Sequence, residues 1–479
     1  MTFTSFSFYL FLPAVWLAFH FSAGRFRWAV LLAASYIFYA SFRAPQLLLA
    51  LGFVTTVSYA CALRLGSVKD EAARRRVFRL GAGACLALLA ASKYLPRALP
   101  AGFASEHPEF LVFVGISYFT FQAVSYLADV YLGVQEPEPH LGYHALALAF
   151  FPKLLQGPIE RAGSLLTQLR APYSFDYDRT RSALLLFAFG LFKKMVLADR
   201  LAQYANWAYA DVPAHTGLSM LLGTYAYALQ IYFDFAGYTD MARGAARLFG
   251  VNLTENFNSP YQAVSIADFW RRWHISFSRW ILDYIFKPLQ LAWRDLANAG
   301  TALALLVTFL VSGLWHGSSW GYVIWGLLHG LYLASSVYYR PYQKKLHAFL
   351  GGEKKPLVKA WRVFVTFNLV SFAWIFFRAA TLSDAVGAVR GIFDPMGSLA
   401  EARKVGFDKF LSTHILMGLG NWDPAILLFA FAVIYIVRRY RTVNIFEKPA
   451  WLRWSVYYAL FAMIVFLGMA KDNFVYFKF

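Results

Sequence analysis

Charge is scarce in this chain. Only 15% of its 479 residues are Asp, Glu, Lys or Arg, where a soluble domain carries about a quarter. Acids are the scarcer sign, 26 against 45 Lys and Arg, which leaves a net charge of +19. Cysteine is nearly missing: Cys61 and Cys85 both sit in apolar stretches, which excludes a disulfide framework or a zinc site and suits small core residues. There is no P-loop, no GxGxxG opening a helix after a strand, no CxxC and no HExxH, so the common nucleotide, thiol-redox and zinc-protease chemistries lack their parts. The opening MTFTSFSFYLFLPAVW has no basic stretch ahead of its apolar run. A cleavable signal is therefore not expected, and the first segment should be retained.

What the chain has instead is hydrophobic length. Apolar residues make up 59% of it and aromatics 19%, with a mean hydropathy of +0.47. Stretches of near-spanning length recur near 5–23, 28–43, 45–64, 77–95, 109–133, 141–157, 181–205, 216–238, 299–315, 320–339, 360–378, 424–438 and 454–470. This predicts an all-α, polytopic integral membrane protein with about eleven transmembrane helices. Several stretches are short and read as re-entrant or interfacial pieces, above all LAFFPKLLQGPIERAG, where Pro152, Gly157 and Pro158 break any helix. In LFKKMVLADRL, Lys193 and Lys194 lie inside an apolar run; either their stems snorkel or the helix lies at an interface.

The basic residues cluster in loops, so bilayer insertion, not nucleic acid, explains the net charge. Residues 64–79, 340–359 and 438–453 are strongly basic, and each is expected on the cytoplasmic side. Residues 379–423 set Arg390, Arg403, Lys404 and Lys409 against five acids and read as an outer-face loop. With 340–359 inside, the break before Trp320 falls toward the outer half of the membrane. Neither repeat nor low-complexity linker interrupts the chain, so one integral domain over 1–479 is expected, with a catalytic core at about 109–340.

Two stretches carry chemistry. Ser265 followed by Asp268 is a capping-box pattern and starts a helix. At 100° per residue Ile266, Phe269, Trp270, Trp273, Phe277, Trp280, Ile281 and Tyr284 share one arc, opposite Asp268, Arg271, Arg272, Ser276, Arg279 and Asp283. That predicts one amphipathic helix, with His274 at the edge of its apolar arc, a turn after Trp270 and a turn before Ser278. Alone, such a histidine is a hydrogen-bonding residue of an interfacial helix. His316 is sharper, because Gly313 and Gly317 bracket it and Ser318 and Ser319 follow, so a helix can end there and irregular backbone can line a cavity. An ionisable group at membrane depth costs a few kcal/mol, which makes function its default reading, and imidazole suits proton transfer. The bland alternative is a hydrogen bond joining two half-helices, and His329 fits that role. In YAYALQIYFDFAGYTD, Asp234 lies among aromatics and needs a partner: it can orient an imidazole or pair with an arginine such as Arg243.

The sequence also resembles the membrane-bound O-acyltransferases, in particular their bacterial alginate O-acetyltransferase branch. The likeness rests on VGISYFTFQAVSYLADVYLG at 114–133, FFPKLLQGPIERAGSLLTQL at 150–169, QIYFDFAGYTDMARG at 230–244, ENFNSPYQAVSIADFWRRWHISFSRWILDYIFKPL at 255–289, SGLWHGSSWGYVIWGLLHGLYL at 312–333 and the ending NFVYFKF. The resemblance implies tilted helices around a central tunnel, His316 as principal catalytic histidine and His274 as the second. It implies an acyl thioester donor such as acetyl-CoA from the cytoplasm, with no bound cofactor or metal. Trp270, Arg271, Arg272 and Ser278 become candidates for holding the donor, and Asp234, Tyr238, Asn256, Trp315 and Ser319 for supporting the tunnel. It further implies the inner membrane of a bacterium, a polysaccharide acceptor and a periplasmic acetyltransferase partner. One departure stands out: a glycine-rich turn common after the amphipathic helix is replaced here by FKPLQLAWRDLANAG. Two rivals are D-alanyl transfer from a carrier protein and, from another class, a transporter or flippase.

Overall fold

The computed structural model describes residues 1–98, 114–416, 423–439, 445–469 and 474. The start of the span expected at 109–133 and most of the closing NFVYFKF lie outside the described residues. All regular elements among the described residues are helical. Five of these helices are long and apolar enough to cross a membrane: Pro45–Ser67, Glu71–Leu95, Arg294–His316, Pro356–Arg378 and Ala450–Leu467; Phe6–Phe21 and Asp423–Ile436 are shorter apolar helices. In Ala450–Leu467 only 6% of the spanning window is buried, so this helix turns nearly all its side chains outward, as a lipid-facing helix does. The chain is a multi-pass membrane protein.

The chain divides into two compact units, Met1–Gly190 with Tyr238–Asn256, and Leu191–Gly237 with Phe257–Phe479. In the first, Pro45–Ser67, Glu71–Ala98 and Ile116–Tyr131 pack on one another. Small residues let them approach: a Cβ on Gly81 would stand 2.8 Å from Cys61 Sγ. Helix Leu141–Ala149 stops where Pro152, Gly157 and Pro158 follow, as expected. Its last, buried carbonyls are met from within: Lys153 Nζ donates to Leu148 C=O at 3.1 Å and Gln122 Nε2 to Ala147 C=O at 3.0 Å. Lysine is favoured there because the helix C-terminus carries partial negative charge.

In the second unit Ala297–His316 and Trp320–Phe349 form a hairpin packed backbone to backbone. A Cβ on Gly313 would lie 2.4 Å from Tyr322 C=O, and one on Gly326 2.4 Å from Phe309 C=O, so only glycine allows this approach. Residues 382–410 are not an open loop but three short helices, Leu382–Ile392, Pro395–Val405 and Phe407–Phe410. A capping box between Thr381 and Asp384 starts the first; the balanced charges that suggested a loop lie on exposed helix faces.

Two expectations fail locally. The helix over 265–284 is not continuous: Ile266–Trp270 and Ile275–Ile281 are separated by a turn in which His274 adopts φ 42° and ψ 55°. Lys194 does not snorkel. It is 1% exposed within a widened turn, Lys193–Ala198, between Tyr177–Phe192 and Asp199–Ala210.

Candidate active site

Both histidines of interest, and His329, belong to the second unit. Ser265 Oγ accepts from Asp268 N at 3.1 Å, and Asp268 Oδ2 accepts in return from Val264 N at 3.1 Å, so the cap starts the helix where its pattern indicated. The helix then fails after one turn. Asn258 N donates to Arg272 C=O at 3.0 Å, tying the turn back to the preceding loop. His274 caps the following helix, its carbonyl accepting from Ser278 N at 2.8 Å. A left-handed backbone at a non-glycine residue costs of order 1 kcal/mol and persists only where the surroundings impose it. Here it turns the imidazole inward, 2% exposed, against Phe235 at 4.7 Å and Phe277 at 5.1 Å. Burial against these rings penalises the charged form and drives the pKa of His274, which lies outside the spanning helices, down to about 3. It is a neutral imidazole.

His316 is the last residue of its helix, and Gly317 at φ 151° turns the chain into Ser319, whose hydroxyl accepts from Gly321 N at 3.3 Å to cap the next helix. The string Gly317-Ser318-Ser319-Trp320-Gly321 thus matches GxSxG, but it joins two helices with its serine serving as a cap, whereas a nucleophile elbow joins a strand to a helix. The His316 ring is 4% exposed, between Trp315 at 4.3 Å, Trp325 at 4.9 Å and Phe377 at 4.9 Å. Trp315, Gly317, Ser318 and Ser319 around it are partly exposed, so the imidazole lies just beneath the surface of its unit. The two histidines are bridged by one stacked pair: Phe277, touching His274, and Trp315, touching His316, have centroids 4.4 Å apart at 28°.

His329 completes the cluster. Trp270 Nε1 donates to its Nδ1 at 3.3 Å, and Trp325 contacts both His329, at 5.1 Å, and His316. Trp270, a donor-binding candidate, is therefore occupied with His329. Ser312, a turn before His316 on the same helix face, was not singled out from sequence, although the Ser-x-x-x-His spacing carries that signal. Its hydroxyl, Trp325 Nε1 and His329 Nε2 are buried polar atoms without a hydrogen-bond partner among the described residues. Buried polar atoms are rarely left so, and three in one cluster point to a place where a polar guest is received.

The remaining candidates separate. Ser278 Oγ donates to Trp273 C=O at 3.0 Å, a local cap. Arg272 is held by Asp268 at 3.0 Å, while Arg271 is 72% exposed with Asp268 3.8 Å away. The ion-pair partner of Asp234 is neither an imidazole nor Arg243 but Lys194. Lys194 Nζ lies 2.7 Å from Asp234 and 2.8 Å from Asp199, and the Phe474 ring lies 4.6 Å from the same nitrogen. Arg243 faces Asp240 at 3.5 Å and Glu255 at 3.7 Å. Tyr238 and Asn256 belong to the first unit: Tyr238 Oη accepts from Gln156 N at 3.3 Å and its ring stacks on Phe3, while Asn256 is fully buried.

A model of the membrane-bound O-acyltransferase family matches residues 145–377. The peptidoglycan O-acetyltransferase of Helicobacter pylori is 33% identical over 398 residues, covering 76% of this chain and 73% of that protein. A probable alginate O-acetylase, AlgI, of Pseudomonas aeruginosa is 36% identical over 395 residues, 79% of this chain and 72% of that one. The teichoic acid D-alanyltransferase of Bacillus subtilis is 28% identical over 281 residues, 57% of this chain and 70% of that one. His274, His316 and His329 all fall inside the matched stretch.

Proposed function

Because the chain belongs to the membrane-bound O-acyltransferase family and is an acyltransferase of it, we propose that it transfers an acetyl group from a cytoplasmic thioester, acetyl-CoA, toward an extracytoplasmic polysaccharide. The physical problem is one of access. A charged, bulky thioester donor cannot cross a bilayer, and a polymer outside it cannot enter the cytoplasm. A protein that brings the thioester and a hydroxyl to one buried imidazole removes the need for either crossing.

In this reading His316 accepts the proton of the attacking hydroxyl while its oxygen bonds to the thioester carbonyl carbon. The tetrahedral oxyanion then collapses, the C–S bond breaks, and the imidazolium returns the proton to the departing thiolate. His274, one stacked ring pair away from His316, positions the donor. Arg271, exposed beside this region, attracts the donor's phosphates. The observation that carries the reading is the setting of His316: it closes a helix just below the surface, in a cluster that also holds the unsatisfied Ser312 hydroxyl and Trp325 indole N–H. The acceptor is a polysaccharide such as alginate, reached through a serine of a periplasmic acetyltransferase partner, and the site of action is the bacterial inner membrane. The names of the Helicobacter and Pseudomonas relatives support acetyl as the group moved.

Replacing His316 with Ala tests this directly. Loss of a general base typically costs 100- to 10,000-fold in rate, so O-acetyl groups on the envelope polysaccharide should vanish while the protein still inserts. Near-wild-type acetylation in that variant would remove the proposed role. A second reading, D-alanyl transfer from a carrier protein, draws on the Bacillus relative. Offering the purified protein labelled acetyl-CoA in parallel with a D-alanyl-charged carrier separates the two.

A further inference from the structure

The first unit contains a cavity of about 330 Å³ whose lining includes Arg25, Arg27, Arg170, Trp28, Tyr143 and Tyr173. No acidic residue lines it. Arg170 is neutralised by Glu138, but among the described residues neither Arg25 nor Arg27 has a carboxylate within 4.0 Å. Arg27 Nη1 donates to Tyr173 C=O at 2.8 Å, while its Nε is buried without a partner among the described residues. Aromatic rings hold these guanidinium groups in place: Arg27 lies 5.1 Å from the Tyr173 ring centroid and Arg170 4.3 Å from that of Tyr143. Such ring contacts fix a planar fork with its N–H edge available, the geometry that grips phosphate. Beneath them Phe19, Leu31, Phe249 and Val251 make a buried apolar floor.

We propose that this cavity binds the phosphate end of an organophosphate whose organic part rests on the apolar floor. Three considerations fix the class. Two uncompensated guanidiniums without lining acids select an anion. Arginine forks select phosphate over a bare halide. The volume is that of an organic ligand and more than a lone phosphate fills. The same chemistry is offered by the headgroup of an anionic phospholipid and by a soluble nucleotide-like phosphate. The proposal is independent of the acyl-transfer reading, and its test needs no turnover.

Purified full-length protein in detergent is titrated by native mass spectrometry with short-chain phosphatidylglycerol, adenosine 3′,5′-bisphosphate and, as a zwitterionic control, short-chain phosphatidylcholine. Two variants probe the site without touching its framework. R25Q removes an exposed guanidinium that lies 4.8 Å from the Phe26 ring centroid. Gly24→Phe adds bulk at the lining where a Cβ meets nothing within 4 Å. One anionic probe should bind saturably at one per chain; R25Q should weaken it about tenfold, as loss of one charged hydrogen bond does, and Gly24→Phe should weaken it by occupying space at the lining, with helicity and melting temperature unchanged in both. Saturation by phosphatidylglycerol alone assigns a lipid headgroup; saturation by the bisphosphate assigns a soluble ligand. Saturable binding of neither, equal binding of phosphatidylcholine, or wild-type binding by both variants overturns the proposal.

Discussion

Two buried polar clusters of the second unit are built on opposite principles. Around Lys194 the polar groups are charged and paired: one ammonium faces two carboxylates at 2.7 and 2.8 Å, at most 5% exposed. Around His316 the walls are rings, and three buried polar atoms, Ser312 Oγ, Trp325 Nε1 and His329 Nε2, have no hydrogen-bond partner among the described residues. A region that answers its own charges fixes structure, because disturbing it exposes the full cost of a buried ion. A region that leaves hydrogen-bonding positions open gives up stability and keeps capacity for a substrate. Asp234 and Phe235 join the two: the first is anchored by Lys194, and the second, the next residue along the helix, packs on His274.

The sharpest way to break this contrast is to remove one side chain from each cluster. His316→Ala should cost 100- to 10,000-fold in acetylation with a melting temperature close to wild type. Lys194→Met leaves two buried carboxylates facing each other without their cation, and should cost about 3–5 kcal/mol of stability. The measurement is thermal unfolding in detergent and the yield of folded protein. If Lys194→Met lost acetylation while melting like wild type, the charged cluster would belong to the chemistry instead. Trp270→Phe keeps the ring packing but deletes the donor to His329 Nδ1, for an expected loss of about 0.5–1.5 kcal/mol and little change in acetylation per folded molecule. A large catalytic loss there would move His329 from packing into the reaction.

The smallest effect lies outside both clusters and calibrates them. Glu353 accepts from Arg362 Nη1 at 2.8 Å and lies 3.4 Å from His347 Nδ1. The Arg362 hydrogen bond, with that of His347, holds its carboxyl below the ordinary value of 4.5. A depressed acid stabilises the folded state fully above its unfolded pKa, and the gain is lost as pH falls through the folded one. Glu353→Gln should thus cost about 0.2–1 kcal/mol at pH 7, since the Glu353 side chain is half exposed. The difference should fade as the pH is taken below about 4.5. A deficit that persisted at low pH would show that packing, not charge, holds this turn.

Helix ends were legible wherever local chemistry fixes them. Ser265 caps, Gly317 terminates, and the prolines after Ala149 stop their helix, each through interactions within a few residues. The backbone at His274 was not legible. The apolar arc runs unbroken through 265–284, and periodicity reports which face is buried, not whether the helix survives a turn. Asp234's partner was equally hidden, since Lys194 stands 40 positions away; the lysines in their apolar run suggested snorkelling or an interfacial helix instead. His316 was readable for the reverse reason, because glycine, histidine and serine between two apolar stretches already contradict an uninterrupted span.

By itself the sequence determined that the chain crosses a membrane repeatedly and where several of its helices start or stop. It also marked His316 as the polar group set in a break. These follow from hydrophobic length and from capping interactions only a few residues long. The tertiary structure alone decided that His274 turns inward from a left-handed backbone, that a stacked Phe277–Trp315 pair separates it from His316, and that Lys194 claims Asp234. Such outcomes depend on which distant groups compete for one buried space, and the cost of an unmatched charge or ring there exceeds any local preference.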